Sequence, residues 1–184
     1  CQKPNDGTGS TTTQSISVTT QNSTVTTQDT TTSSQSTSVT TQVLKIEDYF
    51  PIEENVKYIY EGSGNEYASY NVIIDYASQN KVQQRINNGG TETIKVIELK
   101  DGKVTILLSK PETYYRENFL DNSSAEQEVI LMEPLEAGTS WTLSNNYTRK
   151  INDISAEVTV PAGKYEAIEV VTEGPNDKTI DYYA

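Results

Sequence analysis

The sequence has no histidine, one cysteine, one methionine and one tryptophan in 184 residues. Without imidazole, neither a Ser-His-Asp nor a Cys-His nucleophilic site can be assembled. The zinc and iron sites that depend on imidazole are excluded for the same reason. The single thiol, Cys1, can make no internal disulfide and no thiolate cluster. No Gly-rich phosphate loop of the Walker or dinucleotide kind is present. No apolar run approaches the roughly 20 residues that span a bilayer, and there is no signal-peptide core. Clusters of Lys and Arg are missing too. With 26 acidic against 14 basic side chains, the net charge is −12. Such a chain is repelled by phosphate backbones and anionic headgroups, so no nucleic-acid partner is expected.

Aromatic side chains are absent from residues 1–42, and charge nearly so. All twelve Tyr, both Phe and the Trp lie from Tyr49 onward. Lys3, Asp6 and Asp29 leave 1–42 at −1, so −11 falls on the rest. What the leader does contain is Ser, Thr and Gln in a seven-residue beat. Gln14, Gln21, Gln28, Gln35 and Gln42 close the units TGSTTTQ, SISVTTQ, NSTVTTQ, DTTTSSQ and STSVTTQ. A coiled coil needs two large apolar positions per heptad; here only Val18, Val25 and Val39 recur, so the period reads as a duplicated linker. Its low hydrophobicity leaves ordering entropy unopposed, and a disordered tether over 1–42 is expected. As a flexible coil it would reach roughly 35 Å on average.

The remaining segment, 43–184, reads as β throughout. YASYNVIIDY alternates, putting Ala68, Tyr70, Val72, Ile74 and Tyr76 on one face and Ser69, Asn71 and Asp75 on the other. In TIKVIELKDGKVTILLS, Asp101-Gly102 separates two runs rich in Val, Ile and Leu, the composition of a two-residue primed turn. Further strands are expected over 56–61, 81–86, 128–132, 140–143, 155–160, 165–172 and 179–183. Pro161-Ala162-Gly163 and Asn87–Gly90 mark reversals. Only Ser123–Glu128 hints at a helix. The expected fold is therefore all-β with minor α: an antiparallel meander forming a curved sheet, half-barrel or sandwich. FPIEENVKY (50–58) and EPLEAGTSW (133–141) share Pro, a branched aliphatic, Glu and a terminal aromatic at matching offsets, which is either chance similarity over nine residues or the mark of two half-domains of similar build.

The position of Cys1 has a parallel. In bacterial lipoproteins the mature chain begins at a Cys whose sulfur carries a diacylglyceryl group, and a polar spacer precedes a globular region. This chain, which starts without Met, resembles them. Two acyl chains at about 0.8 kcal/mol per buried CH₂ make a stable anchor. Gln2 is not the Asp that commonly marks inner-membrane retention in Gram-negative cells, and the long spacer fits a Gram-positive surface. YFPIEENVKYIYEG, PLEAGTSW, VTVPAGKYEAIEV and DYYA are similar to segments of surface lipoproteins of Gram-positive bacteria. In those, a proline-led segment opens a β domain and VPAG forms a hairpin near its end. The resemblance covers most of 49–184 through turn and core residues, with Tyr58 where Trp is more usual. It implies a Gly-rich final strand beyond YYA, so the chain is expected to stop short of the natural C-terminus.

Candidate chemistry is limited to carboxylates and tyrosines. A glycosidase needs only two acids on opposite sides of a bond, but with this many acids no pair stands out. The densest oxygen cluster is RENFLDNSSAEQE, where Glu117, Asp121, Ser123 and Glu126, with Asn118, Asn122 and Glu128, are the ligand types calcium takes. It lacks the EF-hand's alternation and glycine, and the competing reading is a polar loop with an N-cap at Ser123 or Ser124. ETYYRENF places Tyr114, Tyr115 and Phe119 around Arg116, a platform for sugars or peptides; one of the adjacent tyrosines is expected in the core. The expectation is a non-enzymatic, lipid-anchored, extracytoplasmic protein that binds or scaffolds at the cell envelope. Its partners are the membrane through the lipid on Cys1, and an envelope protein, a glycan or an apolar ligand. Two alternatives are a carrier or chaperone for an apolar ligand in the hollow of a curved sheet, and a carboxylate-only glycan hydrolase or sugar-binding module.

Overall fold

Two runs of antiparallel hairpins account for nearly every strand of the computed structural model, which describes Ile16–Ser17 and residues 44–184. Cys1 and the repeat units otherwise lie outside the described residues. The first run is a six-stranded curved meander of β2 (Lys57–Tyr60), β3 (Tyr70–Ser78), β4 (Lys81–Asn87), β5 (Glu92–Lys100), β6 (Lys103–Pro111) and β7 (Glu128–Met132), paired in that order. The second contains β8 (Ser140–Thr142), β9 (Thr148–Val160), β10 (Gly163–Glu173) and β11 (Lys178–Tyr183). The two-residue β1 (Ile16–Ser17) joins it in parallel to the edge of β11.

Each sheet begins with one half of the sequence echo. FPIEENVKY leads into β2 and EPLEAGTSW into β8, and both are edge strands. Tyr58 and Trp141, at matching positions, pack on the same core. The turns follow their chemistry. Asp101 and Gly102 have φ of +51° and +67°, the doubly left-handed form that a right-twisted hairpin takes. A Cβ on Gly102 would also lie 2.7 Å from Glu133 Oε2.

The sheets share one core. Val72, Ile74, Val82, Ile97, Val104 and Leu131 of the first face Ile151, Ile168 and Val170 of the second, and Ile46, Phe50 and Leu135 from the connecting segments pack among them. Burial of these aliphatics, at roughly 25 cal/mol per Å² of apolar surface, is the main favourable term. The edge strand β7 has no backbone partner on its far side. Side chains of the second sheet take that place: Trp141 Nε1 and Arg149 donate to Val129 O at 2.9 and 2.8 Å, and Tyr183 Oη donates to Ile130 O at 3.2 Å.

Bulges redirect two strands. In β3, Ile74 pairs with Gln84 but Tyr76 pairs with Gln83, so one extra residue is inserted. Asp75 and Tyr76 therefore both leave the inner face. Tyr76 packs with the outer cluster and Ala77 returns to the core, which corrects the expectation that Tyr76 shares a face with Val72 and Ile74. In β6 the extra residue is Leu107, between partners of Ile97 and Val96. This bulge also explains the missing helix at Ser123–Glu128, where the segment is irregular and then enters β7. Leu107 O accepts both Ser124 N (2.7 Å) and Ser124 Oγ (3.0 Å), holding the segment along the sheet instead of letting it coil. The helical content is one 3₁₀ turn, Ile46–Asp48, among the described residues.

Candidate functional site

The connection between β6 and β7 crosses the outer face of the six-stranded sheet. Phe119 and Leu120 cover Ile94, Val96 and Leu107 there, a second core. Alternate residues of β4 grip this crossing by its backbone. Lys81 Nζ donates to Leu120 O (3.2 Å), Gln83 Nε2 to Glu117 O (2.8 Å), and Arg85 to Thr113 O and Tyr115 O (3.1 Å each). Gln83 Oε1 accepts from Phe119 N at 2.7 Å, so the amide imitates a strand partner. Arg85 is itself held by Asp75 at 2.8 Å and Glu92 at 2.9 Å. Burial pulls its guanidinium down and the two carboxylates more than offset this, leaving it raised.

The sequence candidates sit on this crossing and separate. Tyr115 and Phe119 approach to 6.4 Å with Lys110 Nζ over both rings. Tyr114 turns away, donating to Glu112 at 2.5 Å, and Arg116 donates to Asp75 O while lying 5.1 Å from the Tyr76 ring. Neither adjacent tyrosine is core: Tyr114 is 59 % and Tyr115 52 % exposed, because the backbone after Pro111 leaves the strand. Glu117, Asp121 and Glu126 are exposed, Ser123 likewise, and no three potential metal-binding side chains come together among the described residues.

A different site lies between the sheets. At one end of the core the apolar filling gives way to a cleft of about 200 Å³, lined by Phe50, Tyr60, Tyr70, Val72, Ile86, Ile130 and Tyr183 and by five polar side chains, Gln84, Lys95, Glu128, Arg149 and Asp181. The Tyr60 and Tyr70 rings stack at 4.6 Å with 15° between planes. Ile106 and Glu128 also border a separate hollow of about 230 Å³, with Ser109, Leu143 and Asn145. The four charged groups come from both sheets: Lys95 and Glu128 from β5 and β7, Arg149 and Asp181 from β9 and β11.

These charges are not equivalent. Arg149 is committed, donating to Glu128 at 2.6 Å, Thr172 Oγ1 at 2.9 Å and Val129 O. Among the described residues the Lys95 and Asp181 side chains make no hydrogen bond and no ion pair. Burial raises the Asp181 carboxyl; Arg149 and Lys95 oppose the shift and Glu128 adds to it. Burial likewise pushes the Tyr183 phenol well up, so it stays neutral and donates to Ile130 O. One wall can thus offer a neutral or ionised carboxyl and the other an ammonium, beside an aromatic and aliphatic surface.

None of these cleft charges except Glu128 was singled out by sequence. The available signal was a charged residue at a core-facing strand position, as Lys95 is between Ile94 and Val96. It was hidden because both faces of β5 are apolar: Ile94 and Val96 face outward and Ile97 and Leu99 inward. No family model, curated protein or solved structure matches the chain.

Proposed function

We propose that this chain is a non-catalytic binding protein of the cell envelope, tethered by a lipid on Cys1, that receives a small ligand in the inter-sheet cleft. The observation that carries the binding reading is the charged lining. Four ionisable groups converge where a sandwich would ordinarily be filled with aliphatics, and two of them have no side-chain partner among the described residues to justify their desolvation. Carriage of a wholly apolar molecule fits such a lining less well, since it would strand both charges. The first test is a thermal-shift screen of the full chain against small metabolites, repeated with Gln84→Phe to fill the cleft. Ligands that raise Tm in the parent and not in the filled variant support the reading; a screen with no hit overturns it. The anchor is tested separately. A labelled fatty acid should enter the parent and not Cys1→Ala, and the variant should leave the membrane for the medium.

A second reading has a specific observation behind it. Glu128 and Asp181 face the same cleft from opposite sheets, one paired to Arg149 and the other with its carboxyl raised by burial. Such an asymmetric pair is what glycoside hydrolysis uses. Turnover of chromogenic glycosides that Asp181→Asn abolishes would replace the binding reading.

A further inference from the structure

Lys95 and Asp181 pose a problem of matching. They line one cavity from opposite sheets. Each lies within the other's field, since Lys95 is among the groups that draw the Asp181 carboxyl down, yet they do not pair. Arg149 and Glu128, the other charges facing Asp181, already hold each other. A lone anion would satisfy Lys95 and leave Asp181 stranded; a lone cation would do the reverse. Leaving a partly desolvated charge without a partner is unfavourable, so the molecule that suits both must carry both signs. The remaining lining is apolar or aromatic, with Tyr70, Val72 and Ile86 on the six-stranded sheet and Tyr183 beside Asp181. The volume, about 200 Å³, falls under the roughly 300–1,000 Å³ typical of pockets for drug-sized ligands. The occupant is therefore small.

From this juxtaposition we propose that the cleft takes a free α-amino acid with an apolar side chain, its carboxylate on Lys95, its ammonium on Asp181 and its side chain on the Tyr70–Val72–Ile86 wall. The proposal rests on the reading of the cleft as the binding site and adds the ligand's chemical class. Gln84, next to Lys95 on the neighbouring strand, supplies a neutral donor and acceptor to whichever headgroup oxygen or N–H is left over.

The test is calorimetric titration of the full chain with four probes: L-leucine, 4-methylpentanoate, which lacks the ammonium, 3-methylbutylamine, which lacks the carboxylate, and methyl β-glucoside. Leucine should bind at least about tenfold more tightly than either one-charge analogue, the scale of a charge-assisted hydrogen bond. Lys95→Gln should weaken leucine and 4-methylpentanoate and leave the amine unchanged; Asp181→Asn should weaken leucine and the amine and leave the acid unchanged. Because the analogue series is read on the parent chain, it stands even if a variant folds poorly. An analogue or the glucoside binding as tightly as leucine overturns the amino-acid assignment while leaving the cleft a binding site. Silence from all four also overturns the assignment. The broader binding reading falls only if the metabolite screen is silent as well.

Discussion

Asp181 and Arg85 are both charged side chains turned toward the interior, and they act on stability in opposite directions. Arg85 is 11 % exposed at its side chain and is bonded to Asp75, itself 7 % exposed, as well as to Glu92. Removing it leaves Asp75 desolvated, with only the longer 3.9 Å ion pair to the exposed Arg116. Arg85→Met should lower the free energy of unfolding by about 3–5 kcal/mol, read from urea denaturation. Asp181 has no such partner among the described residues. Its carboxyl is raised by burial, so the fold favours the protonated form. Its contribution to stability is full below the unfolded-state aspartate range and is lost as pH rises through the higher folded value. Asp181→Asn should therefore raise Tm at pH 7, with the gain shrinking as pH falls toward the ordinary aspartate range. An unchanged or lowered Tm at neutral pH would contradict this. Neither behaviour was legible in the sequence. The alternation in YNVIIDY predicts that Asp75 faces away from the core, as it does, but not that Arg85 waits there, because the partner is ten residues away and set by hairpin register.

Strands were legible because their signals are local. DG at 101–102 and the breaks at 87–90 and 161–163 fix hairpins through backbone preference alone, and most of the strands between them fell close to their expected bounds. However, β9, expected over 155–160, starts at Thr148, where the polar TRKIND stretch pairs with β10. Bulges were not legible, since Asp75 and Leu107 have nothing unusual in their own residue types; the extra residue is tolerated because it lets both faces of the sheet be apolar. The β6–β7 connection was misread for the same reason. Ser123–Glu128 looks helical in isolation, and the carbonyl that captures Ser124 belongs to a bulge 17 positions earlier in the chain, at Leu107. Gln83 is the residue that makes the crossing an element of the fold. Gln83→Leu removes two hydrogen bonds and strands the buried Phe119 N–H, which should cost about 2 kcal/mol. Amide exchange at Phe119 and its neighbours should accelerate while the β5 amides keep their protection. Equal acceleration in both would show the crossing has no independent stability.

At the scale of the molecule, the sheets meet along β7 through side chains rather than through a shared strand. Trp141, Arg149 and Tyr183 each present a donor to its open carbonyls. Arg149→Met removes its bonds to Thr172 and Val129 and leaves a half-exposed Glu128 unpaired, so it should lower stability by about 1–3 kcal/mol, and shift the emission of the single tryptophan to the red, as Trp141 loses its cross-strand neighbour. An unshifted spectrum would mean the second sheet stays docked without it. The paired proline-led segments each precede an edge strand, β2 and β8; that the two meanders would enclose charges was not legible, because the four charged groups come from four strands distant in sequence. The grip of β4 on the outer crossing has a different sort of consequence. Lys81, Gln83 and Arg85 recognise carbonyl oxygens and an N–H, groups that every residue but proline carries alike. Tyr114, Glu117 and Asp121 extend into solvent from a main chain that is fastened without reference to their identity. The crossing is thus a stretch of surface whose lettering can be rewritten, by selection or by a library, while the framework underneath goes on folding as before.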